Sequence, residues 1–272
     1  EPLLLGSIAL ARRGQATIVS PVAMSGAMSP ITASGSLIQH NAETVGVSAY
    51  LQMEVPGAPL FYGSLIAAVD MKSGAPAMGV PEVVTGAIAA GEMARFYDMP
   101  YRTWLGSTSN TVDSQAAYES MMSIMSAHMG GAHFVHHGHG WMQGGLTTSF
   151  EKAMLDADLI QMYDAIKPTI DFSDADEVID AIAEVGAGGH FLGSSHTMSR
   201  YQTEFHTPEL SDWSNYELWE EQGRTRVIDR ATHAWKELLE AYEPPPIDDA
   251  IRAELADYVA RRKTEIGTAE IA

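Results

Sequence analysis

The chain contains no cysteine, which excludes structural disulfides, thiolate metal sites and a thiol nucleophile. Positive charge is scarce: 16 basic residues stand against 35 acidic ones, a formal net charge of −19. Such a field repels phosphate backbones and anionic lipid, so nucleic acid and acidic membranes are poor partners. It suits a cationic ligand, although acidic surfaces also serve solubility alone. Long apolar runs are missing too. The opening Glu1-Pro2-Leu3-Leu4-Leu5 has no basic leader and falls far short of the roughly 20 residues that cross a bilayer, so a cytoplasmic location is expected. Phosphate-binding loops are absent, because Gly138 and Gly140 lack a third glycine and no lysine follows Gly186 to Gly189. The chain also starts without methionine inside a helix-like stretch (residues 3–13), and a missing upstream segment is expected.

What is present is core-forming material: 46% of the 272 residues are hydrophobic, enough for one domain of the α/β barrel size class. Between about residues 15 and 167, short β-type runs alternate with amphipathic stretches, the mark of parallel βα units. Four units can be drawn. Residues 16–23 form a strand, and Ser29-Pro30 opens a helix to Glu54. Residues 60–66 form the second strand, followed by a loop through Asp70 and Gly74 and a helix that opens at Pro81-Glu82 and closes before Pro100. The third strand, residues 101–105, leads through the polar loop 106–111 to Asp113, a cap for a helix ending near Gly130-Gly131. Residues 132–137 form the fourth strand. Thr148 and Glu151 have capping-box spacing for a helix reaching Lys167 and stopped by Pro168.

Beyond this, an acidic helix (174–185) precedes residues 186–193, read as a fifth short strand. The remainder reads as helical, with Trp213, Tyr216, Trp219 and Trp235 packing helices inward, a break at Pro244 to Pro246 and a terminal helix over 251–262. The expected fold is therefore α/β, a TIM-type (β/α) barrel that is incomplete in this chain. Residues 1–210 are assigned to the barrel portion and 211–272 to C-terminal helices packed on it. Four or five strands are too few to close a barrel of eight.

In such barrels chemistry sits at the C-terminal ends of the strands. That rule selects Tyr62 and Asp70 after the second strand; Trp104, Ser107, Thr108, Ser109 and Asn110 after the third; and His136, His137, His139 and Trp141 after the fourth. Residues 133–141 hold four of the ten histidines. His137 and His139 superficially match the metal pair of amidohydrolase barrels, where a bound water becomes hydroxide, but no lysine and aspartate stand ready to complete that site. His133 is expected to be satisfied within the sheet, and the run Gln39 to Glu43 to serve structure. Trp104, Trp141 and Tyr62 can offer aromatic faces to a methylated ammonium, worth roughly 0.5 to 2 kcal/mol per contact, or can be core packing.

Several stretches resemble, in order, the C-terminal half of the trimethylamine methyltransferase family. They are Ser25 to Thr32 with Gln39 to Glu43, Tyr62-Gly63-Ser64 with Asp70 to Gly74, Gly106 to Tyr118, His136 to Asp156 including Gly144 to Lys152, and His190 to Leu210. The resemblance implies a barrel that moves a methyl group from a methylated amine to the cobalt of a corrinoid (cobalamin) carried by a separate partner protein. No cofactor would be bound tightly by the chain itself, and homo-oligomers are common among family members. Archaeal members acting on trimethylamine carry pyrrolysine, which by position falls within residues 107–111, nearest Asn110. Only ordinary residues stand there, so the chain resembles the branch without pyrrolysine, which demethylates quaternary amines such as glycine betaine. On that reading Trp104 and Trp141 face the ammonium, while His136, His137, His139 and Asn110 bind the rest. Arg102, Arg200 or a protonated histidine would meet a substrate carboxylate. A metal-dependent hydrolase using His136, His137 and His139, and a non-catalytic barrel fragment, remain the alternatives.

Overall fold

The computed structural model describes residues 2–166 and 169–267 and divides into two compact units, residues 1–235 and 236–272. The first opens with α1 (Pro2–Ala11). Strand β1 (Thr17–Val19) and its continuation β2 (Val22–Ser25) are separated at Ser20-Pro21, where proline has no N–H for the ladder. They pair in parallel with β3 (Leu60–Gly63) and β4 (Leu65–Val69), and the register carries through: Val19 lies opposite Tyr62 and Val22 opposite Leu65. A short β5 (Pro76–Ala77) folds back on β4. With β6 (Tyr101–Trp104) and β7 (Phe134–His136), the main sheet has the parallel order β1-β3-β6-β7.

Neighbouring strands thus follow chain order. The crossovers carry α2 (Ala33–Glu54), α3 (Pro81–Phe96) and α4 (Ser114–Gly130), and α5 (Phe150–Asp164) follows a small hairpin of β8 (Trp141–Met142) and β9 (Thr147–Thr148). The four expected βα units are present, giving an α/β fold on a parallel core. A closed barrel is not formed: among the described residues β1 and β7 are the sheet's edges.

One face of the sheet carries the helices. Alternate residues put Val19 against Ile8 and Leu51, Tyr62, Ile66 and Tyr101 against Ala90 and Ala94, and Leu105 against Ile124 and Ala127. Helices α3 and α4 approach so closely that a Cβ on Gly91 would lie 2.1 Å from the Gly130 carbonyl oxygen. The opposite face leaves Ile18, Val22 and Phe134 at 38%, 41% and 45% exposure. A parallel sheet is normally covered on both sides.

Local details correct several expectations. Helix α2 starts at Ala33, capped by Thr32, whose side chain accepts from the Gly35 N–H; Ser29 instead bonds the Ser36 hydroxyl at 2.8 Å. Helix α5 is capped by Ser149 rather than Thr148, which is committed to β9. Asp113 caps α4 as expected, accepting from the N–H groups of Gln115 and Ala116. The expected helix end at Lys167 and Pro168 lies outside the described residues. Residues 186–193 are not a strand: Gly186 and Gly188 adopt positive φ, which breaks an extended run, and Phe191–Gly193 is a single 3-10 turn.

Further along lie α6 (Ala175–Val185), α7 (Ser195–Arg200), α8 (Tyr216–Glu221) and α9 (Val227–Glu240), the last running through the boundary between the units. Trp235 stacks on Phe150, ring centres 5.0 Å apart, and its indole N–H donates to Glu151 at 2.9 Å. Trp213 and Tyr216, expected to pack inward, are mostly exposed. The second unit holds α10 (Asp249–Ile266), capped by Asp248. No helix among the described residues is long and apolar enough to cross a membrane.

Candidate functional site

The loops after β6 and β7 meet at the C-terminal end of the sheet. Residues in a strand alternate sides, so consecutive His136 and His137 should point apart. They do not. His137 takes the left-handed conformation, φ 59°, and its ring turns back onto His136 with centres 3.7 Å apart. Trp141 follows, 4.5 Å from the His137 ring, and Phe134 lies 6.2 Å below His136. A non-glycine residue in this region costs on the order of 1 kcal/mol, and here that strain produces a continuous ladder of aromatic rings.

Buried charges hold the ladder's supports. Asp156 on α5 accepts the Gly140 N–H at 2.8 Å, fixing the turn that leads into Trp141. Its carboxylate also meets the Lys152 ammonium at 2.6 Å through both oxygens, and Ser120 bridges the pair. Lys152, Asp156 and Ser120 are all buried.

The β6 loop is held by Glu119, buried on α4. One of its carboxylate oxygens accepts from the Ser107 hydroxyl at 2.7 Å and from the N–H groups of Thr108 and Ser109 at 2.6 and 3.2 Å. Gly79, at φ +69°, lets its backbone run against the base of the Glu119 side chain, since a Cβ there would fall 2.5 Å from the Glu119 Cβ. The two loops are joined directly, Gly144 N–H donating to the Ser107 carbonyl at 3.0 Å and Gln143 N–H to the Ser109 carbonyl at 3.2 Å.

The ladder's imidazoles are shifted towards the neutral form, with the Arg102 guanidinium against one of them. Burial, followed by the Arg102 charge, holds His136 below the ordinary histidine value, and burial, then His136, then Arg102, does the same to His137. Arg102 reaches the ladder from β6: its Nη1 donates to the Ser20 hydroxyl at 3.0 Å and the Ser64 carbonyl at 3.4 Å, and its Nη2 contacts His136 Nδ1.

The residues singled out from sequence therefore separate. His136, His137 and Trp141 come together; His139 and Asn110 stand exposed nearby in the same two loops. Ser107 and Thr108 serve the loop itself, the Thr108 hydroxyl accepting from the Met78 N–H at 2.9 Å. Trp104 is buried against Ala67, Met78 and Val83, which leaves little of its ring for a ligand. Tyr62 belongs to the other side of the sheet: its hydroxyl donates to Asn41 at 3.1 Å, its ring stacks on Tyr97, and burial raises its pKa. His40, in the same cluster, is fully buried. Asp70 closes its own turn with Lys72 and Ser73. His133 accepts the Tyr101 N–H at 3.1 Å, a backbone partner as expected.

Glu119 and Asp156 were not identified from sequence. The i, i+4 spacing of Lys152 and Asp156 is a visible pairing signal, but nothing local distinguishes it from a surface pair. Among the described residues no group of three histidine, aspartate or glutamate side chains could hold a metal ion, and His136 faces a guanidinium where the hydrolase alternative needs a carboxylate.

Residues 1–267 match the family described as Trimethylamine methyltransferase (MTTB). The chain is 37% identical over 268 residues to the glycine betaine methyltransferase of Desulfitobacterium hafniense, covering 98% of this chain and 56% of that protein. It is 31% identical to the trimethylamine methyltransferase MttB of Desulfitobacterium hafniense, covering 95% of this chain and 52% of that protein. It is 30% identical to the trimethylamine methyltransferase MttB2 of Methanosarcina mazei, with 92% and 50% covered. The chain spans about half the length of the curated relatives it matches.

Proposed function

The chain belongs to the trimethylamine methyltransferase family, and from that premise we propose that it forms part of an enzyme that demethylates a quaternary amine such as a betaine, passing the methyl group to a corrinoid on a partner protein. The observation that carries this reading is the aromatic ladder His136–His137–Trp141 at the sheet's C-terminal end. Cation–aromatic attraction gives Trp141 roughly 0.5 to 2 kcal/mol of hold on an ammonium. The imidazoles beside it, both shifted towards the neutral form, add no repulsion of their own, and the Arg102 charge meets His136 on its Nδ1 side.

A quaternary nitrogen already carries the charge that makes it a good leaving group. When the C–N bond breaks, its electron pair stays on nitrogen and the product departs as a neutral tertiary amine. No proton need be supplied. The reduced corrinoid, when its carrier is docked, supplies the nucleophile that receives the methyl carbon; the work of this chain is to bind, orient and keep the methyl pointed outward. Asn110, His139 and the mostly exposed Leu146 border this end of the sheet, which fits a surface left open for a protein partner. The ordinary residues at 107–111 fit the branch without pyrrolysine, and Asn110 is the position proposed to stand where that residue falls.

The fold proposed for the whole enzyme is a TIM-type barrel of which this chain is a portion. Strands in chain order, a face with Ile18, Val22 and Phe134 exposed, and relatives about twice as long support that reading. Covering such side chains contributes about 1.5–3 kcal/mol each.

Isothermal titration of the full-length protein with glycine betaine, carnitine, proline betaine, choline and trimethylamine tests the function, with metal content recorded on the same sample. Saturable binding of a quaternary amine by metal-free protein is expected. No binding to any of them, together with stoichiometric zinc, would overturn it in favour of the hydrolase.

A further inference from the structure

Arg102 is 5% exposed, and every hydrogen-bond partner it has among the described residues is neutral: the Ser20 hydroxyl, the Ser64 carbonyl and His136 Nδ1. Its Nε has none. A buried guanidinium without a carboxylate is expensive unless a negative charge completes it.

The contact with His136 shows how that charge can be reached. Guanidinium nitrogens only donate, so His136 Nδ1 must accept, which places the ring proton on Nε2. His136 itself is exposed at the end of β7. Its Nε2–H is therefore a donor, polarised from behind by a positive charge, beside the ladder proposed to hold the ammonium. Arg200, the other arginine considered for this role, is paired with Glu177 on α6.

We propose that His136, backed by Arg102, is the receptor for the substrate's carboxylate, and so the residue by which this chain prefers a betaine over choline or trimethylamine. This deepens the methyltransferase reading and rests on it. Arg102 acts through the ring as a positioning residue; His136 touches the ligand.

The test measures dissociation constants of glycine betaine and choline on the full-length protein, for wild type, His136→Ala, His136→Gln and Arg102→Gln. Wild type prefers betaine. His136→Ala lowers the betaine-over-choline ratio by about tenfold or more, the worth of a hydrogen bond to a charged group. His136→Gln, whose amide N–H reaches a similar point, retains much of the preference. Arg102→Gln lowers it as well; should that buried variant fail to fold, the exposed His136 pair still decides. A ratio within about twofold of wild type in His136→Ala, or equal weakening of both ligands, overturns this inference while leaving the methyltransferase reading intact. A wild type that binds none of the five amines overturns both.

Discussion

Removing the carboxylate of Asp156 should be among the most damaging single changes in this chain. In Asp156→Ala, the Lys152 ammonium stays buried with the Ser120 hydroxyl as its remaining hydrogen-bond partner, 2.6 Å away, and the Gly140 N–H loses its acceptor. Breaking a buried ion pair by deleting one partner costs about 3–5 kcal/mol, a large share of the 5–15 kcal/mol by which typical domains are stable. Replacing both members, as in Lys152→Met with Asp156→Leu, removes the stranded charge. What remains is the unsatisfied Gly140 N–H, about 1–3 kcal/mol, set against the desolvation no longer incurred. The double variant should therefore lie within about 2 kcal/mol of wild type. Urea unfolding at neutral pH checks this, with an unchanged slope indicating that the midpoint shift reports stability. Ligand binding separates the two roles: the turn before Trp141 has lost its anchor in both variants, so betaine affinity should fall even where stability is recovered. A cost below about 1 kcal/mol in Asp156→Ala, or a double variant no more stable than the single one, would refute the reasoning.

Three further outcomes are expected. His40 is held at about 4 by burial, against weaker raising influences from Gly63 and Glu43. The unfolded chain then takes up a proton between pH 6.5 and about 4 that the folded chain refuses. Its stabilisation is complete above pH 6.5 and lost as pH falls towards 4, in all about 3 kcal/mol. Urea midpoints across that window should flatten in His40→Gln relative to wild type, and parallel curves would count against it. Glu119→Ala should expose the amides of Thr108 and Ser109 to rapid hydrogen exchange and cost roughly 3 kcal/mol through their lost acceptor; protection equal to wild type would mean the loop is held by other contacts. Trp141→Leu should weaken glycine betaine binding by about fivefold or more with little change in stability, and an unchanged titration would remove the ring from the cage.

The order of elements was legible because it depends on local chemistry. Proline and acid at Pro81-Glu82, the cap at Asp113 and the glycine pair that ends α4 act within a few residues, and the structure places helices there. Ends depending on more than one element were missed. Thr148 cannot cap α5 because it is already paired with Trp141 in the small hairpin, and the glycines at 186 and 188 turn where a strand was expected. The site was legible only in outline. Strand-end position brought His136, His137 and Trp141 into view, but the same rule admitted Tyr62 and Trp104, since side-chain direction depends on the strand's register and on what folds over its end.

Sequence alone was enough to place the alternating βα units, to rule out thiol chemistry through the absence of cysteine, and to point to the family through motifs in a fixed order. These depend on residue identity and near neighbours. Only the folded chain could turn His137 back onto His136, set Arg102 behind that ring, and bury Glu119 and the Lys152–Asp156 pair beneath the two loops. Each of those joins residues on different elements or relies on a backbone angle that residue type does not dictate, and the energies that make them matter arise from burial, which packing in three dimensions creates.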